Sequence, residues 1–199
     1  YTPWKRVHPS GDLSEIPSTA APKLTLSCLD ENVALIGISI EEGIVGAEVL
    51  PESDEVTSSF IRAAAGDSVY TLRTENNFVA SAPIVLDIDT GDSPCALHLA
   101  LDIGRHCEFE LITQISGAAP WTGVLRSGRI GDGSILNDVV IGHTDSGTLL
   151  RVDSIAIGRD AQVKAGTVSS GSERTKADLR YKMGETGGHL NVLGSILSA

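Results

Sequence analysis

Cysteine and histidine cluster once along the sequence, and these residue types could hold a metal ion. Cys95 and His98 lie three residues apart, and His106-Cys107 follows. On a β-strand, residues three apart point to opposite faces of the sheet. Tetrahedral zinc sites usually take such pairs from a knuckle turn rather than from an apolar strand. We therefore expect buried thiols that pack as small apolar groups, and we predict no metal-binding residue.

A second constellation, His143-Thr144-Asp145, places an imidazole and a carboxylate on the same side of an extended segment. Acyl-transfer sites use this pair together with a nucleophile. The sequence contains no G-x-S-x-G elbow to supply one. We therefore interpret His143 and Asp145 as solvated turn residues.

The glycine-rich loops and the paired acids also lack the patterns of known chemistry. The segment 184–188 has no Lys-Ser/Thr for a phosphate loop, and the glycines from Gly128 to Gly133 have the wrong spacing for a dinucleotide site. The acids alternate with apolar residues, as on the outward face of a strand; these are Asp87, Asp89, Glu108 and Glu110. We predict no catalytic, cofactor-binding or metal-binding residue, and no enzyme activity.

Composition narrows the class of protein. The 199 residues carry a net charge of −11, which argues against binding to a nucleic-acid backbone. The sequence contains no run of 18 apolar residues, so no membrane span is predicted. Three cysteines without paired spacing indicate a reducing, cytoplasmic location. Scarce aromatic residues and 21 glycines favour β-structure.

The residues after position 98 repeat with a fixed period. The glycines Gly104, Gly131, Gly158 and Gly184 are spaced 131−104 = 27, 158−131 = 27 and 184−158 = 26 residues apart. A meander needs no such repeat, whereas a parallel β-solenoid must place each turn above the previous one. We therefore predict coils of two strands, with one inward column formed by Ile103, Ile130, Ile157 and Met183. Arg105 and Arg159 recur with the period, so we assign them a structural role between coils.

The predicted fold is mainly all-β: a right-handed parallel β-helix of about 27 residues per coil with one short N-terminal helix. Residues 1–66 form an α+β cap, with strands at 23–29 and 33–40 and a helix at about 54–65 that starts at Ser53 or Asp54. We expect this helix to bury Phe60 and Ile61 against the first strands. Residues 67–199 form the coils. Their expected strands are 69–72, 83–88, 96–103, 109–115, 135–141, 148–157, 161–168, 175–181 and 190–197.

Several short segments, in order along nearly the whole chain, resemble the SufB/SufD proteins of SUF iron–sulfur cluster assembly, and SufD more closely. The start, Tyr1-Thr2-Pro3-Trp4-Lys5-Arg6, looks like the Trp-x-Tyr-Thr-Pro segment near the start of SufD proteins. The family's helix, its following strand and its Pro-Ile strand are matched by 60–64, 66–70 and 82–84. A later coil is matched by 172–174, 178–179, 184–185 and 187–190.

The resemblance implies a parallel β-helix between helical segments and a non-enzymatic scaffold. Its partners would be SufB-like and SufC-like (ATPase) subunits, and the complex would build an iron–sulfur cluster that this chain does not itself bind. The family's functional Cys and His and its SufC-docking helices lie beyond the matched region. Cys28, Cys95 and Cys107 therefore match no family site, and we expect the sequence to be a fragment of a longer protein.

Two other functions fit a β-helix: a polysaccharide-active enzyme and a secreted structural β-solenoid. Carbohydrate grooves usually display stacked aromatics and paired acids, and the sequence has eight aromatic residues (three Phe, two Trp and three Tyr). Secretion would be expected for both alternatives. Because open coil ends are exposed sheet edges, we also expect a homodimer or edge-to-edge self-association at the end near Ala199.

Overall fold

The computed structural model describes residues 19–43, 56–184 and 186–197. These residues form twelve strands and one helix. The helix α1 spans Val56–Ala65. The strands are β1 Lys23–Cys28, β2 Ile38–Glu42, β3 Val69–Thr74, β4 Ile84–Asp89, β5 Cys95–Ile103, β6 Glu108–Gly117, β7 Trp121–Ile130, β8 Ile135–Thr144, β9 Thr148–Ile157, β10 Gln162–Ser170, β11 Arg174–Met183 and β12 His189–Ile196.

The strands form two six-stranded sheets that face each other across the core. We call them sheet A, in the order β11-β9-β7-β5-β3-β2, and sheet B, in the order β1-β4-β6-β8-β10-β12. From β3 onward every neighbouring pair is parallel, and successive strands alternate between the sheets. The ten strands β3 to β12 therefore make five coils, and the predicted parallel β-solenoid is confirmed.

The stacking register follows the 27-residue period. Ile103 pairs with Ile130, Ile130 with Ile157, and Ile157 with Met183. The three isoleucines are 1% exposed, whereas Met183 on the outermost strand is 43% exposed. The predicted inward column is confirmed. It adds apolar burial at each coil, at about 25 cal/mol per Å² removed from water.

One turn in each coil uses a residue in the left-handed backbone region. The residues with positive φ at this turn are Asn77, His106, Gly133, Asp160 and Gly187. Apart from glycine, these are the types that adopt this conformation most readily. Glycine is required at the beginning of the turn for a different reason. A Cβ on Gly131 would lie 2.4 Å from the Gly104 carbonyl oxygen, so close coil stacking requires their small size.

The first two strands close one end of the solenoid. β1 pairs antiparallel with β4, and β2 pairs antiparallel with β3, so each sheet begins with one reversed strand. Leu24, Leu26 and Cys28 pack against the core. The strand predicted over 33–40 is displaced, because β2 begins at Ile38 and Val33 lies in a turn.

The helix α1 packs on the outer face of sheet A, against β5 and β7. Ile61 is fully buried against Leu125, Leu150 and Val152, and Phe60 meets the Trp121 ring edge to face at 5.4 Å. The expected packing against the first strands is therefore wrong, since the apolar outer positions that receive the helix lie on later coils. The expected helix start at Ser53 or Asp54 lies outside the described residues.

Candidate functional site

Cys95 and His98 lie on opposite faces of sheet A, and His106-Cys107 lie in the turn between β5 and β6. Burial raises the pKa of the Cys95 thiol to about 11. His98 lies on the helix-covered face, where its Nε2 is 2.7 Å from Ser127 Oγ. Burial, with a smaller contribution from Arg62, lowers the pKa of His98 to about 4. Across the described residues, no group of three His, Cys, Asp or Glu side chains is placed to hold a metal ion.

The other sequence candidates lie at turns and on outward strand faces. His143 is exposed, with its Nδ1 2.9 Å from Ser170 Oγ, and the Asp145 backbone N–H donates to the Gly117 carbonyl at 3.0 Å. Glu108 and Glu110 alternate with buried core residues along β6. His143 and Ser170 lie opposite each other on the neighbouring strands β8 and β10.

A groove of about 490 Å³ follows the glycine-bearing turns across successive coils. Arg105, Arg129 and Arg159 line it. The Arg105 backbone N–H donates to Asn76 Oδ1 at 2.8 Å, and the Arg159 backbone N–H donates to Asp132 Oδ1 at 3.0 Å. These backbone bonds join neighbouring coils. The Arg105 side chain also reaches Asp132 of the next coil at 4.0 Å, whereas the Arg159 side chain pairs with the adjacent Asp160 at 3.6 Å.

The core of the solenoid contains a buried charge cluster that the sequence patterns did not predict. Arg126 on β7 is 0% exposed and bridges the two sheets. Its guanidinium donates to Asp138 Oδ1 on β8 at 2.7 Å and to Asp153 Oδ2 on β9 at 2.9 Å. Arg151 donates twice to Asp153, at 2.9 and 2.7 Å, and once to Thr167 Oγ1 at 2.6 Å. Two cations and two anions are thus neutralised within the core.

Arg126 and Asp153 keep their charges although both are buried. Burial opposes ionisation of Asp153, but Arg151 and Arg126 hold the pKa of its carboxyl below the ordinary value. Burial also opposes the charge on Arg126, and Asp138 and Asp153 overcome it and raise its pKa. The Arg126 Nε is buried without a hydrogen-bond partner, but the four charges of the cluster are paired. Such pairing fixes the register of neighbouring strands, because a slipped strand would bury unpaired charges.

The end of the solenoid formed by β11 and β12 presents two sheet edges. β11 pairs with β9 and β12 with β10, and the structure places no described strand on their other sides. The apolar side chains there are accessible: Met183 is 43%, Val192 41%, Ile196 47% and Leu197 63% exposed. Unpaired backbone beside exposed apolar side chains is a template for adding another strand. We call this surface the open end.

The open end differs in charge from the rest of the protein. β11 carries four cationic side chains, Arg174, Lys176, Arg180 and Lys182, and one carboxylate, Asp178. The whole chain has a net charge of −11. Arg180 donates to Asp178 at 2.9 Å, and Lys176 donates to Thr57 Oγ1 at 3.0 Å. The net positive strand favours a partner edge that carries carboxylates.

Comparison of the chain with known protein families, with curated proteins and with solved structures finds no match. Within the described parts of the chain, no helix is long and apolar enough to cross a membrane. On geometric grounds, the candidate binding surfaces of the described residues are the open end and the groove along the glycine-bearing turns.

Proposed function

We propose that this protein is a non-enzymatic scaffold subunit of an iron–sulfur cluster assembly complex of the SUF type. The observation that carries the proposal is the parallel β-solenoid, and the open end of the 199-residue chain is the surface at which we place its partner. A stack of coils in constant register presents such an edge as a defined surface for a partner. The parallel β-helix is the fold that the resemblance to SufB/SufD proteins implies, and the link to cluster assembly rests on that resemblance.

The proposed partner is a SufB-like subunit that adds a strand to the open end. Strand addition gives affinity through main-chain hydrogen bonds and specificity through side-chain pockets. On β12 the exposed Val192 and Ile196 continue the columns of buried Ala165 and Ser169. A partner edge with apolar inward positions would bury both residues. A SufC-like ATPase would join through the partner subunits, and the chain would serve the cytoplasmic assembly of the cluster without holding it.

Co-purification tests this proposal. The tagged 199-residue chain should retain a SufB-like subunit from the same organism, with or without the SufC-like ATPase. Val192→Lys should abolish retention, because the new ammonium group would lie at an apolar strand contact. Ile36→Lys is the matched control, since Ile36 is 80% exposed and lies between β1 and β2, away from the open end. Retention of neither subunit by the wild-type chain would overturn the proposal.

A further inference from the structure

The outer faces of the two sheets differ in what covers them. The helix α1 covers sheet A across β5 and β7. On sheet B the described part of the chain places no helix. Except for Gln114, the outward residues at its centre are nevertheless apolar or glycine, and the accessible apolar ones include Ile112, Val139, Ile141, Val168 and Leu193. A contiguous apolar patch on a sheet face that no described helix covers is typical of a protein–protein contact.

The registers of β6, β8 and β10 arrange this face in columns that run across the coils. One column is Glu110–Asn137–Lys164, and its neighbour is Ile112–Val139–Gly166. In each column the middle residue lies on β8, and the two flanking residues are complementary in charge or in size. The arrangement is therefore self-complementary about β8.

From this arrangement we propose that the outer face of sheet B binds a second copy of this chain in a twofold symmetric dimer. The symmetry axis would lie between the facing sheets B of the two copies and run parallel to β8. Rotation about this axis preserves the position along a strand and reverses the order of the coils. Each residue on β6 then faces the same column position on the partner's β10, as an isologous interface requires.

Charge and shape both agree with this symmetry. Glu110 of each copy faces the partner's Lys164, so the dimer contains the ion pair twice. Ile112 faces the partner's Gly166, where the missing side chain leaves room for the isoleucine. Val139 and Ile141 on β8 meet their own copies at the axis. In the next column Gln114 faces the partner's Val168, which adds no complementary contact.

The available area places the dimer in a size class of interfaces. Five parallel strands about 4.8 Å apart and about 25 Å long offer roughly 600 Å² per copy. The total of about 1,200 Å² is the lower bound of specific interfaces. We therefore expect a reversible dimer whose population depends on protein concentration. This surface is separate from the open end, so the inference does not depend on the proposed function.

Sedimentation velocity of the 199-residue chain over a range of concentrations tests the dimer by charge reversal. Glu110→Lys alone and Lys164→Glu alone should each weaken dimerisation about tenfold, because each brings like charges together twice. The double variant should restore the wild-type affinity, since the pairs are rebuilt in the opposite sense. Because both residues lie on the outward face, folding should be unchanged in all three variants. Circular dichroism checks this.

Three results would overturn the inference. A wild-type chain that remains monomeric at every concentration shows that the face does not self-associate. Single reversals without effect, or a double variant that stays weak, show that Glu110 and Lys164 do not meet. A dimer that is lost with Met183→Lys but kept with Val139→Lys assigns association to the open end instead.

Discussion

At the residue scale, His98 links burial to the pH dependence of stability. The folded pKa of about 4 lies below the ordinary 6.5. Above pH 6.5 both states hold a neutral imidazole. Between pH 6.5 and 4 the unfolded chain takes up a proton that the folded chain excludes, so the free energy of unfolding falls as the pH falls.

We expect His98→Gln to flatten this dependence, because glutamine can keep a hydrogen bond to Ser127 without titrating. Urea unfolding at pH 7 and pH 5 measures the effect. The wild type should lose about 1–2 kcal/mol more than the variant between these values. Equal losses in both proteins would show that His98 is not the group that titrates.

The buried charge cluster gives a second prediction at this scale. Arg126→Met leaves Asp138 without its guanidinium partner and Asp153 with one of its two, so the free energy of unfolding should fall by about 3–5 kcal/mol. Arg129→Met is the matched control on the same strand. Arg129 pairs with Asp102 at 3.0 Å, but its side chain is 56% exposed, and an exposed pair contributes about 1 kcal/mol or less. Urea denaturation should separate the two variants, and equal losses would contradict a special role for the buried cluster.

At the element scale, β7 is the strand that the apolar patterns did not predict. Its residues Trp121–Ile130 include two glycines and two arginines, so apolar alternation is missing. Arg126 occupies an inward position because Asp138 and Asp153 neutralise it, and such partners on other strands are invisible in a local pattern. The period carries the missing signal: adding 27 to the bounds of β5 gives 122–130.

The turn glycines give the element-scale prediction. A Cβ on Gly131 would lie 2.4 Å from the Gly104 oxygen and 2.6 Å from its carbon, both backbone atoms that cannot move without separating the coils. Gly131→Ala should therefore cost about 1–3 kcal/mol of unfolding free energy. Gly166→Ala is the control, because its nearest neighbour would be Val139 Cγ2 at 3.4 Å. Thermal unfolding at low protein concentration compares them, and equal midpoints would refute the steric account.

At the scale of the whole molecule, the 27-residue period predicts the coils. It does not predict the position of α1 or the antiparallel pairing of β1 and β2. Ile103, Ile130 and Ile157 stack because each coil places the same residue type at the same inward position. The position of α1 depends on contacts between Ile61 and Leu125, Leu150 and Val152, far away in the sequence. The antiparallel pairing of β1 and β2 likewise depends on where the chain reverses, which no repeat encodes.

The open end is the feature on which the functional account depends. Exposed apolar columns and unpaired main-chain groups on β11 and β12 predict that a partner adds a strand there. The charge of β11 predicts further that the contact weakens as salt is added. The same edge would accept any chain with a matching pattern, so the identity of the partner has to be tested directly.

Hydrogen–deuterium exchange on the 199-residue chain, with and without a SufB-like subunit, is the most direct test. We expect the amides of β12 and β11 to become protected when the subunit is added, because the partner's strands would occupy their free edge. The inner strands β5 and β7 should exchange slowly in both samples and serve as the internal reference. Unchanged exchange on β11 and β12, or protection confined to another surface, would contradict the account.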